Sequence, residues 1–160
     1  MKDTVLVIDD DMTVHGILKE ILSEDYELIH AYNGKEGIKK YKKNQETIAL
    51  ILLDMEMPNR TGLEVLGELR ALGLDDVPIV VLTSNTEHEM ETKSIEAGAI
   101  DYIRKPINAT VLKARIAAHI SLKKDSDHFK FEVARILEDR LQMIDRIMDE
   151  LKATLRSLYS

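Results

Sequence analysis

The 160-residue chain contains no cysteine. That excludes disulfides, thiolate metal centres and cysteine nucleophiles, and it suits a reducing compartment. No apolar run approaches the ~20 residues that a membrane-spanning helix needs. The N-terminus enters an apolar strand almost at once, which predicts no secretory leader and a cytoplasmic location. An excess of basic residues is also missing. Lys and Arg number 22 against 29 Asp and Glu, a net charge of −7, which argues against a general affinity for nucleic acid. What remains is 44% hydrophobic and 32% charged, the composition of a globular domain with room for an appendage.

The most informative stretch is Ile48-Ala49-Leu50-Ile51-Leu52-Leu53-Asp54. Six apolar residues without a polar interruption read as a strand buried on both faces, the mark of a central parallel strand. Asp54 closes it and a Pro/Asn/Gly-containing loop follows. In open α/β sheets ligands sit outside the carboxyl ends of the strands, so Asp54 stands where chemistry happens. On this stretch alone it is equally a turn residue or helix cap.

The rest of the chain repeats the pattern. Val5-Leu6-Val7-Ile8 is a second apolar strand, ending in Asp9-Asp10-Asp11. Val14, Ile17, Leu18, Ile21 and Leu22 fall at helical spacing behind it. Tyr26–Ala31 mixes polar with apolar residues, as an edge strand does, and Asn33-Gly34 opens a short lysine-rich helix with Ile38 and Tyr41. After the Asp54 strand comes a helix with Leu63, Leu66 and Leu69 on one face, stopped by Gly73. Val77–Leu82 is another apolar strand, with Pro78 tolerated near its start, and Thr83-Ser84 closes it. Thr86 and Glu89 have the spacing of a capping box for a helix over 86–97. That helix offers Met90, Ile95 and Ala97 as anchors, and it is expected to bury little. A last strand, Ile100–Ile103, ends in Arg104-Lys105-Pro106, and a final helix over Ala109–Leu122 carries Val111, Leu112, Ile116 and Ile120.

Five strands alternating with five helices predict a doubly wound, five-stranded parallel sheet. The three apolar strands must be central and the two mixed ones edges, which selects the order 2-1-3-4-5. Asp9 and Asp10 then lie beside Asp54. Crowded carboxylates repel one another unless a cation neutralises them. Oxygen donors with no His or Cys nearby suit a hard ion, Mg²⁺ or Mn²⁺. Lys105 and Thr83 end strands on the other side of the same pocket, so an ammonium and a hydroxyl surround one free carboxylate. That set forms a cradle for a phosphoryl group.

With these residues in view, the chain resembles the receiver domain of two-component response regulators over residues 1–122. The likeness rests on Val7-Ile8-Asp9-Asp10-Asp11, Leu53-Asp54-Met55-Glu56-Met57-Pro58 with Gly62, Leu82-Thr83, and Ala97-Gly98-Ala99 through Asp101-Tyr102-Ile103-Arg104-Lys105-Pro106. The five principal positions show no departure from the family's pattern. The resemblance implies that Asp54 takes a phosphoryl group from a histidine kinase or phosphotransfer protein. Asp10, Asp54 and the backbone carbonyl of Glu56 would bind Mg²⁺, with Asp9 acting through its water shell and Asp11 capping a helix. Lys105 would contact phosphoryl oxygens across a cis bond to Pro106, an isomer realistic only before proline. Thr83 and Tyr102 would be the switch pair, with Tyr102 turning inward as Thr83 moves. Glu56 and Asn85 would tune the lifetime of the acyl phosphate. The chain would be a phosphoacceptor, not an enzyme with turnover.

Lys123-Lys124-Asp125-Ser126-Asp127 is read as a polar connector or a continuation of the helix. Over residues 128–160 one heptad position holds Ala134, Leu141, Met148 and Leu155, and the other holds Leu137, Ile144, Leu151 and Leu158. This 3-4 spacing predicts a coiled-coil or bundle helix. Val133, Ile136, Met143 and Ile147 widen the stripe, which suggests a second contact surface, in a four-helix bundle or on the receiver itself. In a parallel dimer Arg140 would face Asp145 of the second chain. Seam burial at best offsets the entropy of ordering the helix, so self-association is expected. The segment is too short and too acidic for a DNA-reading domain, and the expected output is contact with a protein partner. The rival is that the chain forms the receiver and stalk of a larger regulator with a cyclase, phosphodiesterase or kinase-type domain.

Readings from other classes are weaker. A haloacid-dehalogenase-type phosphatase wants a second Asp where Glu56 stands. A flavodoxin-like cofactor site wants a phosphate-cradling loop where three aspartates stand. His15, His30, His88, His119 and His128 show no metal-ligand spacing and read as structural or surface residues.

Overall fold

The computed structural model describes residues 1–73, 76–85 and 87–160. The elements run β1 (Asp3–Ile8), α1 (Met12–Leu22), β2 (Tyr26–Ala31), α2 (Gly34–Lys43), β3 (Ile48–Asp54), α3 (Gly62–Ala71), β4 (Ile79–Thr83), α4 (His88–Glu96), β5 (Asp101–Arg104) and α5 (Ala109–Tyr159). All strand pairings are parallel, in the order β2-β1-β3-β4-β5. The apolar β1, β3 and β4 are central and the mixed β2 and β5 are the edges, as their composition requires.

Alternation along each strand feeds two cores. Leu6, Ile8, Ile51, Leu53, Ile79 and Val81 pack with Val65, Leu66 and Leu69 of α3 and with Ile38 and Tyr41 of α2. The intervening Val5, Val7, Leu50, Leu52, Val80 and Leu82 pack with Val14, Leu18 and Leu22 of α1 and with Leu112, Ile116 and Ile120 of α5. Because the side-chain period of a strand is two, a run without polar residues is what a sheet covered on both faces needs.

Several helix faces differ from the periodicity reading. In α1, Ile17 is 41% exposed, and the buried face carries His15 instead. In α3, Val65 is fully buried and Leu63 only partly so. Val111 of α5 is on the outside. The largest difference is α4. It spans His88–Glu96 and turns Glu91 and Ser94 inward, while Ile95, an expected anchor, is exposed. The physical reason is that Glu91 finds charged and hydroxyl partners on β5, described below, so polar side chains pack inward beside the expected anchors Met90 and Ala97. Its N-cap is Glu87, without a side-chain capping bond. The capping box placed on Thr86 lies outside the described residues.

The chain divides into two compact units, Met1–Lys123 and Lys124–Ser160. The first holds the sheet and both cores. The second is helical from its start to Tyr159, so the helix placed over Ala109–Leu122 extends through 123–127. That segment has neither Gly nor Pro to stop it. In the second unit Leu137, Leu141, Ile144, Leu151, Leu155 and Leu158 are each more than half exposed, and Met148 nearly so. Ala134 is exposed as well.

Candidate phosphoryl-acceptor site

Strand register builds the site. Ile8 pairs with Leu53, Asp54 with Leu82, and Thr83 with Arg104. Asp9 is therefore level with Asp54, Thr83 stands one step past them and Lys105 two, all at the carboxyl edge of the sheet. The loop after Asp54 folds back tightly there. The Gly62 N–H donates to the Met55 carbonyl at 3.2 Å, and a Cβ on Gly62 would stand 2.6 Å from the Asp54 carbonyl oxygen and from the Met55 Cα. Only glycine fits so close an approach of backbone to backbone.

The Lys105 ammonium bridges the two buried acids, 3.1 Å from Asp54 Oδ1 and 3.2 Å from Asp9 Oδ2. Backbone N–H groups hold both carboxylates. Asp11 donates to Asp9 Oδ1 at 2.9 Å, and Glu56 donates to Asp54 Oδ1 at 3.1 Å. Asp11 also caps α1, accepting from the Thr13 N–H. The peptide bond between Lys105 and Pro106 is cis, and the Lys105 N–H donates to the Thr83 carbonyl at 2.8 Å.

Burial, followed by the neighbouring Asp9 charge, pushes the Asp54 carboxyl from its ordinary 3.8 up to about 7, although Lys105 and the Glu56 N–H pull the other way. Burial works against the Lys105 ammonium, but the facing Asp54 and Asp9 carboxylates outweigh it and hold its pKa above the ordinary value. One ammonium thus stands against two buried acids and the exposed Asp10. Asp9, Asp10 and Asp54 each offer an oxygen, all within 4.8 Å of one another. An all-oxygen donor set with surplus negative charge fits a hard divalent cation.

Thr83 is already engaged. Its hydroxyl donates to Glu56 Oε1 at 2.7 Å, and the same carboxylate accepts from the Ser84 and Asn85 N–H groups at 3.1 Å. The Asn85 side-chain oxygen accepts from the Glu87 N–H at 2.8 Å. Burial alone would raise the Glu56 pKa, but the Thr83 hydroxyl and the two amides hold it below the ordinary carboxylate value. Tyr102 is half-buried on β5. Its hydroxyl is hydrogen-bonded to Glu91, which raises its pKa. Arg104 holds the same carboxylate, with Nε 2.9 Å from Glu91 Oε1. The eight seam residues belong to the other unit.

One feature escaped the sequence reading, and a second was left open by it. Glu91 was not singled out in the sequence, and its partners on β5 lie 11 and 13 residues away, so no local pattern marks it. His15, read as structural or surface, is buried, with Nε2 2.7 Å from the Asp9 carbonyl and Nδ1 2.7 Å from His30 Nδ1. A neutral His15 donating from Nε2 and accepting from a His30 Nδ1–H satisfies both contacts. Its place between Val14 and Leu18 on the inward face of α1 was the available signal.

A doubly wound sheet whose carboxyl edge gathers three acids, a lysine and a hydroxyl defines the phosphoacceptor class of signalling domain. The profile of the response regulator receiver domain matches residues 5–117. The chain belongs to that family. Among curated relatives it is 30% identical over 147 residues to the hybrid signal transduction histidine kinase D of Dictyostelium discoideum, covering 91% of this chain and 9% of the kinase. It is 29% identical over 163 residues to a probable cyclic di-GMP phosphodiesterase of Vibrio cholerae, covering 97% of this chain and 36% of that protein. The chain thus spans well under two thirds of these relatives. The crystal structure of an adenylate cyclase from Rhodopirellula baltica matches with a TM-score of 0.74 at 27% identity, over 84% of this chain and 98% of that one. Receiver domains exchange phosphoryl groups with histidine kinases or phosphotransfer proteins, so the chain is a phosphoacceptor module of two-component signalling.

Proposed function

We propose that Asp54 is the phosphoacceptor and that phosphorylation is read out through the C-terminal helix. The observation that carries this reading is the Lys105 ammonium set between two buried carboxylates, with Asp10 beside them. An Asp54 oxygen forms the new bond to phosphorus as the donor's N–P bond breaks and its imidazole leaves. Lys105 stays within reach of Asp54 to hold the transferred oxygens, and it balances part of the added charge. Asp10, Asp54 and the Glu56 backbone carbonyl are the residues to hold Mg²⁺ directly, with Asp9 acting through water. When bound, the ion would neutralise the crowded acids and the phosphoryl oxygens. With Mg²⁺ and a small acyl-phosphate donor, the wild-type protein should gain the mass of one phosphoryl group and Asp54→Ala should not. Equal labelling of both would sink this assignment.

Output then runs through Thr83, α4 and Tyr102 to α5. Phosphorylation brings close to two negative charges, which compete for the Thr83 hydroxyl and change what Tyr102 packs against. The heptad positions Ala134, Leu137, Leu141, Ile144, Met148, Leu151, Leu155 and Leu158 suit a homodimer seam, supported by their exposure in the single chain. A second reading, the receiver and stalk of a larger regulator, is favoured by the alignment of nearly the whole chain, tail included, to a phosphodiesterase it only partly spans. In either case the tail is a protein contact, and no step of the reading uses DNA.

A further inference from the structure

We propose that the Glu56 side chain is a built-in competitor of the phosphoryl group, occupying the hydroxyl and amides of the β4–α4 loop until a stronger anion displaces it. The proposal rests on the reading of Asp54 as phosphoacceptor and Thr83 as its switch partner. A threonine hydroxyl has one proton to donate. Here it goes to Glu56 Oε1 at 2.7 Å, so it is withheld from any oxygen on Asp54. The Ser84 and Asn85 N–H groups turn toward the same carboxylate, and the Asn85 N–H also donates to Thr83 Oγ1 at 3.0 Å. Together they form a small concavity of donors of the kind that binds anions.

Two anions cannot share these donors. The Glu56 backbone N–H donates to Asp54 Oδ1, which ties the residue's main chain to the acceptor while its side chain reaches the switch loop. A phosphoryl group on Asp54 would bring its charge toward a carboxylate already there, and like charges at that range oppose each other. Glu56 is thus a positioning residue. It fixes Thr83 away from the acceptor in the unphosphorylated protein and sets how strong an anion must be to draw it over.

The test compares wild type with Glu56→Gln, Glu56→Ala, Thr83→Ala and Glu56→Ala/Thr83→Ala, titrated with beryllium fluoride at fixed Mg²⁺. All of them keep the residue 56 carbonyl. Glu56→Ala should bind the mimic on the order of tenfold more tightly, and Glu56→Gln, which keeps an acceptor and loses the charge, should fall between. In the Thr83→Ala background the gain should shrink at least threefold, since the contested hydroxyl is gone. In the absence of any mimic, the Ser84 and Asn85 amide protons should shift upfield and exchange faster in Glu56→Ala than in wild type. No gain in affinity, an undiminished gain without Thr83, or unmoved amide signals overturns the proposal while leaving Asp54 labelling intact. Failure of every variant to take up the mimic or to be labelled at Asp54 overturns the phosphoacceptor reading, and this proposal with it.

Discussion

At the scale of single residues, the buried acids carry consequences for pH. A carboxyl that titrates at about 7 in the fold, against an ordinary 3.8, binds its proton more tightly when folded. Its contribution to stability is present below 3.8 and is lost as pH rises through about 7. The metal-free protein should therefore lose about 2–4 kcal/mol between pH 4 and pH 8 from this group alone. Asp54→Asn should flatten that slope, and Mg²⁺ should restore stability to wild type at pH 8; denaturant melts at both pH values measure it. Lys105→Ala removes the ammonium between the acids. It should abolish acyl-phosphate labelling and cost more stability at pH 8 than at pH 5, when Asp54 is protonated. Asp9, Asp10, Asp54, Thr83 and Lys105 were legible because each stands at or just past the end of a strand, and strand ends can be counted. The Glu56 side chain was not. It reaches Thr83 across a loop whose path depends on the Gly62 approach, and no spacing rule encodes that.

At the scale of elements, the strands could be read and the helix faces only in part. An apolar run announces a central strand whatever packs on it, whereas a helix shows its inward face through partners found elsewhere. Hence α4 was assigned Ile95 as an anchor and instead buries Glu91 against Arg104 and Tyr102. This makes α4 dependent on a charge. Glu91→Ala takes from Arg104 and the Tyr102 hydroxyl their shared acceptor, and it should loosen His88–Glu96. Faster amide exchange confined to α4 and β5 is the expected sign, and uniform exchange across the sheet would contradict it. The buried His15 on α1 teaches the same lesson, since a polar residue on an apolar face is satisfied by a carbonyl that the sequence cannot point to.

At the scale of the whole molecule, the two units obey different rules. Met1–Lys123 owns its cores, while Lys124–Ser160 presents an apolar stripe with no core of its own. Ile144→Glu with Leu151→Glu should convert a dimer to a monomer in light scattering and leave Asp54 labelling unchanged; an unaltered mass would remove the seam from the account. The site itself depends on something no substitution tests, the equal reach of strands that pair Ile8 with Leu53, Asp54 with Leu82, and Thr83 with Arg104. Deleting one residue inside β3 would move its terminal acid a step back along the sheet and turn it to the opposite face. The chemistry is therefore more tolerant of replaced letters than of missing ones. Changes in length should be tolerated in the connections at the far edge of the sheet.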